Sequence, residues 1–396
     1  MSPHIFGYTE PNNKVVLPPL DKVKIMKDVV ISGSGLFTPP HVVTNEELVA
    51  SYNQYVDEFN AENATAITAG DMPALEHSSV EFIEKASGIK ARHVMYKEGI
   101  LDTRIMRPVF DRRPEEQMPE MVEMALQAAR EAMAQANKTA ADIDLIICAA
   151  SNMQRPYPAL SIELQQQLGV QGYAFDMNVA CSSATFAISN AVNAIRGGTA
   201  NVVLVVNPEF ASPQVNYRSR DSHFIFGDVC TATIIEATET CSSDNAWRIN
   251  GMRLKTEFSN NIRCDIGYTE HCFTPDADVP FFKQQGRKVF KELLPIVADV
   301  ILAEMDAQHV APEQLRRLWL HQANINMNIF AAKKILGRDP LPEEAPLVLD
   351  TYANTASAGS IIAFHKYKQG LHQGDKAILC SFGAGYSVGC LVLEKY

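Results

Sequence analysis

Two segments far apart in the chain follow the same pattern of residues. They are 187–206 (AISNAVNAIRGGTANVVLVV) and 361–381 (IIAFHKYKQGLHQGDKAILCS). Each reads as an apolar helix, a glycine, a polar turn and a buried apolar strand. Because a helix that returns to a strand in this order is the crossover unit of a parallel sheet, the repeat predicts a duplicated βαβ architecture of the α/β class.

The repeat also suggests how the chain is divided. Short strand-like runs, such as 145–150, alternate with helical patterns on both sides of the middle of the sequence. We therefore predict an N-terminal half over 28–230 and a C-terminal half over 231–396. A polar, proline-containing N-terminal extension over 1–27 precedes them.

Two segments of the first half interrupt this alternation. The stretch at about 49–77 is polar and rich in asparagine and alanine, and the stretch at about 96–117 carries charges and prolines. Such compositions are typical of surface segments. We predict that both are insertions on the surface of the first half.

Net charge, apolar runs and cysteine spacing together argue against several classes of protein. The formal net charge is −11, and no long basic tract offsets it, which argues against a nucleic-acid-binding protein. No run of apolar residues approaches the length of a membrane span, and the N-terminus lacks the pattern of a secretory signal. The eight cysteines form no CxxC pair and show no zinc-ligand spacing, so we expect a reduced, cytoplasmic protein without a metal site.

Cys181 lies where an apolar strand, predicted over 173–180, runs into a helix of small residues predicted over 182–196. A thiol at a helix N-terminus faces unsatisfied N–H groups and the positive end of the helix dipole, which favour the thiolate. The position therefore predicts an activated nucleophile. The alternative is a buried cysteine that acts as a small apolar side chain, as most cysteines do.

Two later segments supply polar side chains at comparable places. His321 directly follows an apolar strand in LWLHQANINMN, and Asn354 follows a predicted strand and a turn of small residues in PLVLDTYANTASAG. Ligands of open α/β sheets bind just beyond the carboxyl ends of the strands. We therefore expect Cys181, His321 and Asn354 to converge on one pocket, although a lone histidine or asparagine usually has a structural role.

These residues lie in motifs that resemble one enzyme family. The motifs are NVACSSA around Cys181, FGD at 226–228, HQAN at 321–324, NTAS at 354–357 and SFGAGYSVG at 381–389. In this order they resemble the β-ketoacyl-acyl-carrier-protein synthase III enzymes of the thiolase-like superfamily. The resemblance covers about 28–48, 78–95 and 118–396. It implies a five-layered αβαβα fold of two pseudo-repeated halves, a homodimer, and no cofactor other than thioester substrates.

The resemblance implies a reaction in two stages. Cys181 takes an acyl group from an acyl-CoA primer, and the backbone N–H groups of Cys181 and Ala384 stabilise the oxyanion. Malonyl-acyl-carrier protein then loses carbon dioxide, and the enolate that forms attacks the acyl group. His321 and Asn354 are expected to stabilise the enolate oxygen. Asn354 resembles the initiating class, because elongating relatives usually carry a second histidine there.

The resemblance also implies contacts with substrates. Ala86 stands where many members have an arginine on the phosphate side of coenzyme A. One contact that would support a primer carried by coenzyme A is therefore missing. Other longer members suggest, by analogy, a primer of about eight carbons. The residues implied in substrate or coenzyme A contact are Phe82, Arg220, Asn324, Tyr157 and Phe382, and those implied in carrier-protein docking are Lys291, Lys333 and Lys334.

Three functions remain open from the sequence. The first is this condensing acyltransferase in fatty-acid or related lipid synthesis. The second is an acyl-thioester hydrolase, transacylase or head-to-head condensing enzyme on the same fold, and release of carbon dioxide from malonyl-acyl-carrier protein separates a hydrolase or transacylase from the first. The third is a scaffold without activity, which an unreactive Cys181 would favour.

Overall fold

The computed structural model of the chain describes residues 27–264 and 281–396. The predicted N-terminal extension, 1–27, lies outside the described residues except for its last member. The strands are β1 (Val29–Phe37), β2 (His41–Thr44), β3 (Ala91–Val94), β4 (Leu145–Ala149), β5 (Tyr173–Met177), β6 (Val202–Glu209), β7 (Val229–Ala237), β8 (Trp247–Thr256), β9 (Ile262–Cys264), β10 (Phe282–Gln284), β11 (Leu315–Leu320), β12 (Lys376–Gly383) and β13 (Ser387–Lys395). The helices are α1 (Asn45–Glu62), α2 (Ala64–Ala69), α3 (Val80–Ser87), α4 (Glu120–Gln135), α5 (Leu160–Leu168), α6 (Ser183–Gly197), α7 (Gly286–Ala307), α8 (Ile325–Leu336), α9 (Leu349–Tyr352) and α10 (Gly359–Tyr367).

Within the described residues, nine strands form one hydrogen-bonded sheet in the order β11-β12-β13-β8-β1-β7-β6-β4-β5. In the first half β1, β7 and β6 are antiparallel neighbours and β6, β4 and β5 are parallel. In the second half β8, β13 and β12 are antiparallel and β12 and β11 are parallel. The same pairing pattern thus occurs twice. A short pairing of β1 with β8, at Val30–Arg248 and Ile31–Trp247, joins the two copies.

Helices cover both faces of each copy, which gives five layers. Helices α4 and α5 pack on the outer face of the first copy, and α7 and α8 on that of the second. Helices α6 and α10 lie between the copies, in a core to which strands of both contribute. The expected α/β class with a thiolase-like five-layered αβαβα arrangement of two repeated halves is confirmed.

Large aromatic side chains of the second half pack together in the layer between the two copies. The rings of Trp247 and Trp319 meet edge to face at 5.0 Å, and Phe364 of α10 meets Trp319 in the same way at 5.0 Å. All three side chains are buried. Edge-to-face pairs of this kind add about 0.5–1.5 kcal/mol to the free energy of burying the rings. The second half therefore contributes an aromatic cluster to the core between the two copies.

The sheet pairing bears on the predicted division at residue 230. That position is the second residue of β7, a strand that pairs with β1 and β6 along its whole length. Cutting the chain there would separate the strand from its partners. We therefore propose that the division lies after β7, between Ala237 and Trp247.

The two predicted insertions differ in structure. Segment 49–77 is largely helical, because it holds most of α1 and all of α2. Helix α1 begins with a capping box between Thr44 and Glu47 and buries Tyr52 and Val56. Segment 96–117 is described throughout and contains turns but neither helix nor strand.

Within 27–264 and 281–396, none of the helices is long and apolar enough to cross a membrane.

Candidate active site

Cys181 lies in a tight turn between β5 and α6. The turn is a 3₁₀ segment, Ala180–Ser182, and the residue before the cysteine, Ala180, has a φ of 46°. A side chain is rarely found in this left-handed region, so the turn is strained, as is common at functional sites. The N–H of Ala180 donates to Oδ1 of Asn178 at 2.8 Å and holds the turn in this conformation.

The glycine-rich turn after β12 lies directly against Cys181. A β-carbon added to Gly383 would be 2.5 Å from Cβ of Cys181 and 2.9 Å from its Sγ, so only glycine fits there. The backbone N–H groups of Ala384 and of Cys181 itself donate towards the sulfur. This is the pair of donors predicted for the oxyanion, and the structure brings both to the reactive atom.

The protonation state of Cys181 differs from the sequence-based expectation. Burial, together with the negative charge of Glu209, raises the pKa of the thiol to about 12, although the N–H groups of Ala384 and Cys181 act in the opposite direction. The prediction that the helix terminus would give a thiolate near neutral pH is therefore wrong for the free protein. Desolvation outweighs the dipole, and the thiol must lose its proton as it reacts.

His321 follows β11 directly, as predicted. Its backbone N–H donates to the carbonyl of Cys380 at 2.8 Å, and the edge of its ring meets Phe382 at 5.2 Å. Burial lowers the pKa of the imidazole to about 4, while the backbone of Ala356 acts in the opposite direction. The ring is therefore neutral at physiological pH and is available as a hydrogen-bond partner without a charge.

The backbone segment that leads to Asn354 differs from the predicted one. No strand precedes it; α9 ends at Tyr352, and Ala353 has a φ of 57°. The backbone of Asn354 instead bridges to the FGD motif, because its N–H donates to Ile225 at 3.0 Å and its carbonyl accepts from Gly227 at 3.1 Å. The predicted strand is wrong, but the residue still reaches the end of the sheet.

The side chain of Asn354 is oriented by its own turn. Its Oδ1 accepts from the N–H of Ala356 at 2.9 Å, and Ala356 has a φ of 45°. The carbonyl end of the amide is thus occupied, so the group left to donate to a substrate is Nδ2. A fixed N–H donor of this kind is suited to a developing negative oxygen.

A continuous chain of contacts joins the three predicted catalytic residues. Cys181 lies against the backbone of Gly383, and the preceding residue, Phe382, packs on His321. The backbone of Ala356 contacts both His321 and Asn354. The turns that carry Cys181 and Ala356 also pack on each other. The structure therefore brings together three residues that are up to 173 positions apart in the sequence.

A cavity of about 460 Å³ reaches this cluster at Asn354, which lies in its wall, whereas Cys181 and His321 are not among its lining residues. Its lining comes from both halves and from α3, and it is mixed polar and apolar, as expected for a substrate channel. Among its lining residues are Phe82, Phe224, Arg287, Asn324, Met327 and Asn354.

Of the residues implied in coenzyme A contact, Phe82 and Asn324 line this channel, and Arg220 packs on Phe82. Phe82 lines it, and the guanidinium of Arg220 lies 4.2 Å from the centre of the Phe82 ring. Arg220 also donates from Nε to the carbonyl of His77 at 2.8 Å. Asn324 lines the channel, caps α8 by accepting from the N–H of Asn326, and donates to the carbonyl of Ala86.

Two further residues do not line the channel. Phe382 is 1% exposed and packs against His321, so it holds the imidazole in place. Tyr157 is 82% exposed on the loop before α5. Neither contacts the cavity beside Asn354, and the predicted substrate contact of Tyr157 and Phe382 has no support from this geometry.

The lysines implied in carrier docking are exposed on two packed helices of the second outer layer. Lys291 lies on α7, and Lys333 and Lys334 lie on α8. Lys333 forms an ion pair with Asp339 at 2.9 Å. Arg287, one turn before Lys291, lines the channel, so this basic face adjoins its mouth.

Sequence reasoning missed Glu209, which is fully buried and influences the thiol of Cys181. The signal was present, because Glu209 ends a strand, as does the residue before His321. Among the described residues, no group of three or more histidine, cysteine, aspartate or glutamate side chains is arranged to hold a metal ion.

Comparisons with known families agree with the motifs. The family described as 3-oxoacyl-[acyl-carrier-protein (ACP)] synthase III matches residues 175–257, and the family of its C-terminal domain matches residues 305–395.

Individual proteins are similar over most of the chain. A beta-ketodecanoyl-[acyl-carrier-protein] synthase of Pseudomonas aeruginosa is 49% identical over 348 residues, which are 87% of this chain and 99% of that protein. A beta-ketoacyl-[acyl-carrier-protein] synthase III of Agrobacterium fabrum is 33% identical over 67% of this chain and 82% of its own length. The crystal structure of 3-oxoacyl-[acyl-carrier-protein] synthase III from Aquifex aeolicus superimposes with a TM-score of 0.71 and 26% identity, covering 92% of this chain and 99% of that one.

Proposed function

The chain belongs to the 3-oxoacyl-[acyl-carrier-protein] synthase III family, and from this membership we propose how its site carries out the family's condensation. The protein is an acyltransferase of the condensing type. It joins an acyl group to the malonyl carbon of malonyl-acyl-carrier protein, releases carbon dioxide and forms a 3-oxoacyl-acyl-carrier protein.

In the first stage Cys181 receives the acyl group from an acyl-CoA. Its sulfur forms a bond with the thioester carbonyl carbon, and coenzyme A leaves as the thiol after the proton of Cys181 has moved to it. The N–H groups of Cys181 and Ala384, which already point at the sulfur, stabilise the oxyanion on the acyl carbon.

In the second stage malonyl-acyl-carrier protein takes the place of coenzyme A. Loss of carbon dioxide leaves an electron pair on the malonyl carbon, and the thioester oxygen carries the negative charge. The imidazole of His321 and the amide of Asn354 donate to this oxygen, while the carbon attacks the acyl group on Cys181. Decarboxylation itself generates the carbanion, so the thioester substrates are the only organic partners that the reaction requires.

The primer is proposed to be a medium-chain acyl-CoA of about eight carbons. The similar Pseudomonas aeruginosa protein is named for a beta-ketodecanoyl product, which contains ten carbons. Condensation with a malonyl group adds two carbons to the primer, so an eight-carbon primer gives that product. This chain shares 49% of its residues with that protein over almost the whole of the latter's length.

The protein is proposed to work as a homodimer in the cytoplasm. Strand β5 is the last strand of the nine-stranded sheet, and its Tyr173 and Phe175 are 44% and 37% exposed. An apolar, unpaired edge strand favours pairing with a second chain. Tyr157, which is exposed on the preceding loop, adds to the apolar surface on this side. A reducing compartment keeps the nucleophilic thiol free.

The observation that carries the proposal is the chain of contacts that joins Cys181, His321 and Asn354, with Asn354 in the wall of a cavity, in a chain of this family. The test is mass spectrometry of the intact protein after incubation with acyl-CoAs of graded length, followed by addition of malonyl-acyl-carrier protein. We expect octanoyl-CoA to give the largest acylated fraction, and the carrier protein to gain a 3-oxodecanoyl group as carbon dioxide is released. Release of coenzyme A and free acid without carbon dioxide would instead show a hydrolase.

A further inference from the structure

A carboxylate lies buried where β6 ends, between the turn of Cys181 and the turn of Asn354. Glu209 is 0% exposed, and within 27–264 and 281–396 it has no ion-pair partner. An isolated buried charge is costly unless hydrogen bonds satisfy it. The donors that satisfy Glu209 come from both halves of the molecule.

On one side the donors belong to the NTAS motif. The N–H of Ser357 donates to Oε1 of Glu209 at 3.1 Å, and the hydroxyl of Ser357 donates to the same oxygen. Ser357 follows Ala356, whose N–H orients the amide of Asn354. Glu209 thereby fixes the end of the turn that aims the Nδ2 donor.

On the other side the donors belong to the segment after β4. The N–H of Ser151 donates to Oε1 at 3.0 Å, and its hydroxyl donates to Oε2 at 2.5 Å. The carbonyl of Ser151 accepts from Nδ2 of Asn178 at 2.9 Å, and Oδ1 of Asn178 accepts from Ala180, the residue before Cys181. The same carboxylate is therefore connected to both turns.

The ionised form of Glu209 accepts hydrogen bonds, but it is buried and its charge acts on nearby thiols. A carboxylate only accepts hydrogen bonds, which matches the four N–H and O–H groups directed at it. Its burial raises its own pKa to about 7. The titratable groups that its charge reaches on the neighbouring elements are three thiols, Cys148 of β4, Cys230 of β7 and Cys181, and it raises the pKa of each.

We infer that Glu209 is a positioning residue, which holds the Cys181 turn and the Asn354 turn in one geometry so that the acyl sulfur and the enolate-stabilising amide face each other. This inference rests on the proposed condensation. Glu209 touches no substrate; it acts through Ser151 and Ser357. The hydrogen bonds serve the geometry, while the charge opposes ionisation of the thiol.

Two substitutions separate the hydrogen bonds from the charge. Glu209→Gln keeps one acceptor oxygen for the two N–H groups, and its amide can donate to the rotated hydroxyl of Ser151, so it removes mainly the charge. Glu209→Ala removes both. Glu236→Gln is the matched control, because Glu236 is also 0% exposed but lies near the far end of β7, paired with Lys138 at 2.9 Å.

The readouts are the kcat of condensation, the KM for octanoyl-CoA and the ultraviolet absorbance of the Cys181 thiolate, taken against a Cys181→Ser background. We expect Glu209→Gln to keep kcat within about threefold and to give more thiolate than the wild type at the same alkaline pH. Glu209→Ala should also give more thiolate but lose at least about tenfold in kcat, with KM little changed. Glu236→Gln should leave the thiolate fraction unchanged.

The inference is overturned if Glu209→Ala keeps the wild-type kcat, or if the thiolate fraction is the same in wild type and Glu209→Gln. If Glu209→Ala does not fold, a double-mutant cycle of Ser151→Ala and Ser357→Ala decides. Coupling through one carboxylate predicts that the two losses in kcat are not additive, and strict additivity rejects it. The thiolate readout needs no substrate, so it remains valid if wild-type protein fails to condense and the proposed function itself is wrong.

Discussion

Gly383 and Cys181 are in contact across the junction of the two halves: a β-carbon at position 383 would lie 2.9 Å from the sulfur of Cys181. A second-half turn therefore forms one wall of the site of a first-half nucleophile. This closeness also brings the N–H of Ala384 to the sulfur. Neither half alone contains both the nucleophile and its full set of donors.

Gly383→Ala is expected to slow acylation of Cys181 by about a hundredfold or more. The new methyl group must push the thiol or the turn aside, and misplacing one oxyanion donor typically costs about 2.7–4 kcal/mol of transition-state stabilisation. The rate of acyl transfer from octanoyl-CoA, followed by intact-protein mass spectrometry, measures the loss. Gly197→Ala is the control, because a β-carbon there meets no atom within 4 Å. Equal acylation rates for the two variants would contradict the prediction.

Substitutions of the three predicted catalytic residues should affect the two stages of the reaction differently. Cys181→Ala should abolish transfer of radiolabel from acyl-CoA to the protein. His321→Ala and Asn354→Ala should still accept the label but lose condensation by about a hundredfold or more, because each removes one donor to the enolate oxygen. Carbon dioxide release from malonyl-acyl-carrier protein measures the second stage. Undiminished release in either variant would remove that residue from the proposed role.

The pH dependence of condensation follows from the depressed pKa of His321. Below its folded pKa of about 4 the ring becomes charged, and above it the ring stays neutral. Single-turnover condensation from preformed acyl-enzyme should therefore show no histidine limb between about pH 8 and pH 5. An imidazole with an ordinary pKa of about 6.5 would instead change the rate within this range, because its charged and neutral forms donate to the enolate oxygen with different strength.

The lowered pKa of His321 also makes the stability of the fold depend on pH. The unfolded state binds a proton to His321 below about pH 6.5, whereas the folded state does so only below about 4. Stability therefore falls as the pH is lowered through this interval, by at most about 1.4 kcal/mol per pH unit for this group. His321→Asn should reduce this slope in urea unfolding measured across the interval. An unchanged slope would show that the imidazole is not buried in neutral form.

Much of the site could be predicted from the sequence because strand ends are visible in it. His321 follows six residues of strand β11, so the prediction of its place is confirmed. For Asn354, the predicted strand before it was wrong. The apolar run before it does not join the sheet, because the N–H of Val348 donates to Oε1 of Gln322 at 3.0 Å, and α9 follows. Such a tertiary contact leaves no local pattern.

The protonation state of Cys181 could not be predicted for a related reason. The helix terminus is readable from the sequence, but the depth of the sulfur and the nearby charge of Glu209 depend on how the two halves pack. The same holds for the channel, whose wall combines Phe82, Arg287 and Asn354 from three separate regions. Local patterns specify elements, whereas the electrostatics of the site arise from their assembly.

Arg220 is expected to contribute to recognition of coenzyme A rather than to chemistry. Its guanidinium stacks on Phe82 at the side of the channel, where it can contact an adenine or a phosphate. Arg220→Ala should raise the KM for octanoyl-CoA by about three- to tenfold with kcat unchanged, in line with about 1 kcal/mol of such an interaction. Octanoyl-pantetheine, which lacks the nucleotide, is the matched substrate. A similar rise in KM for octanoyl-pantetheine would instead indicate a general distortion of the channel.

Lys291 is proposed to guide the acidic carrier protein to the mouth of the channel, because it is exposed on α7 one turn after Arg287. Lys291→Glu should raise the KM for malonyl-acyl-carrier protein several-fold at low salt, with little change for octanoyl-CoA, because a rim charge acts mainly on association. The effect should fade at high ionic strength, where the screening length is only about 3 Å at 1 M salt. Arg130→Glu makes the same change of charge on α4, in the opposite outer layer, and should leave that KM unchanged. If both variants raise it equally, the cause is the net charge of the protein and not a docking face on α7.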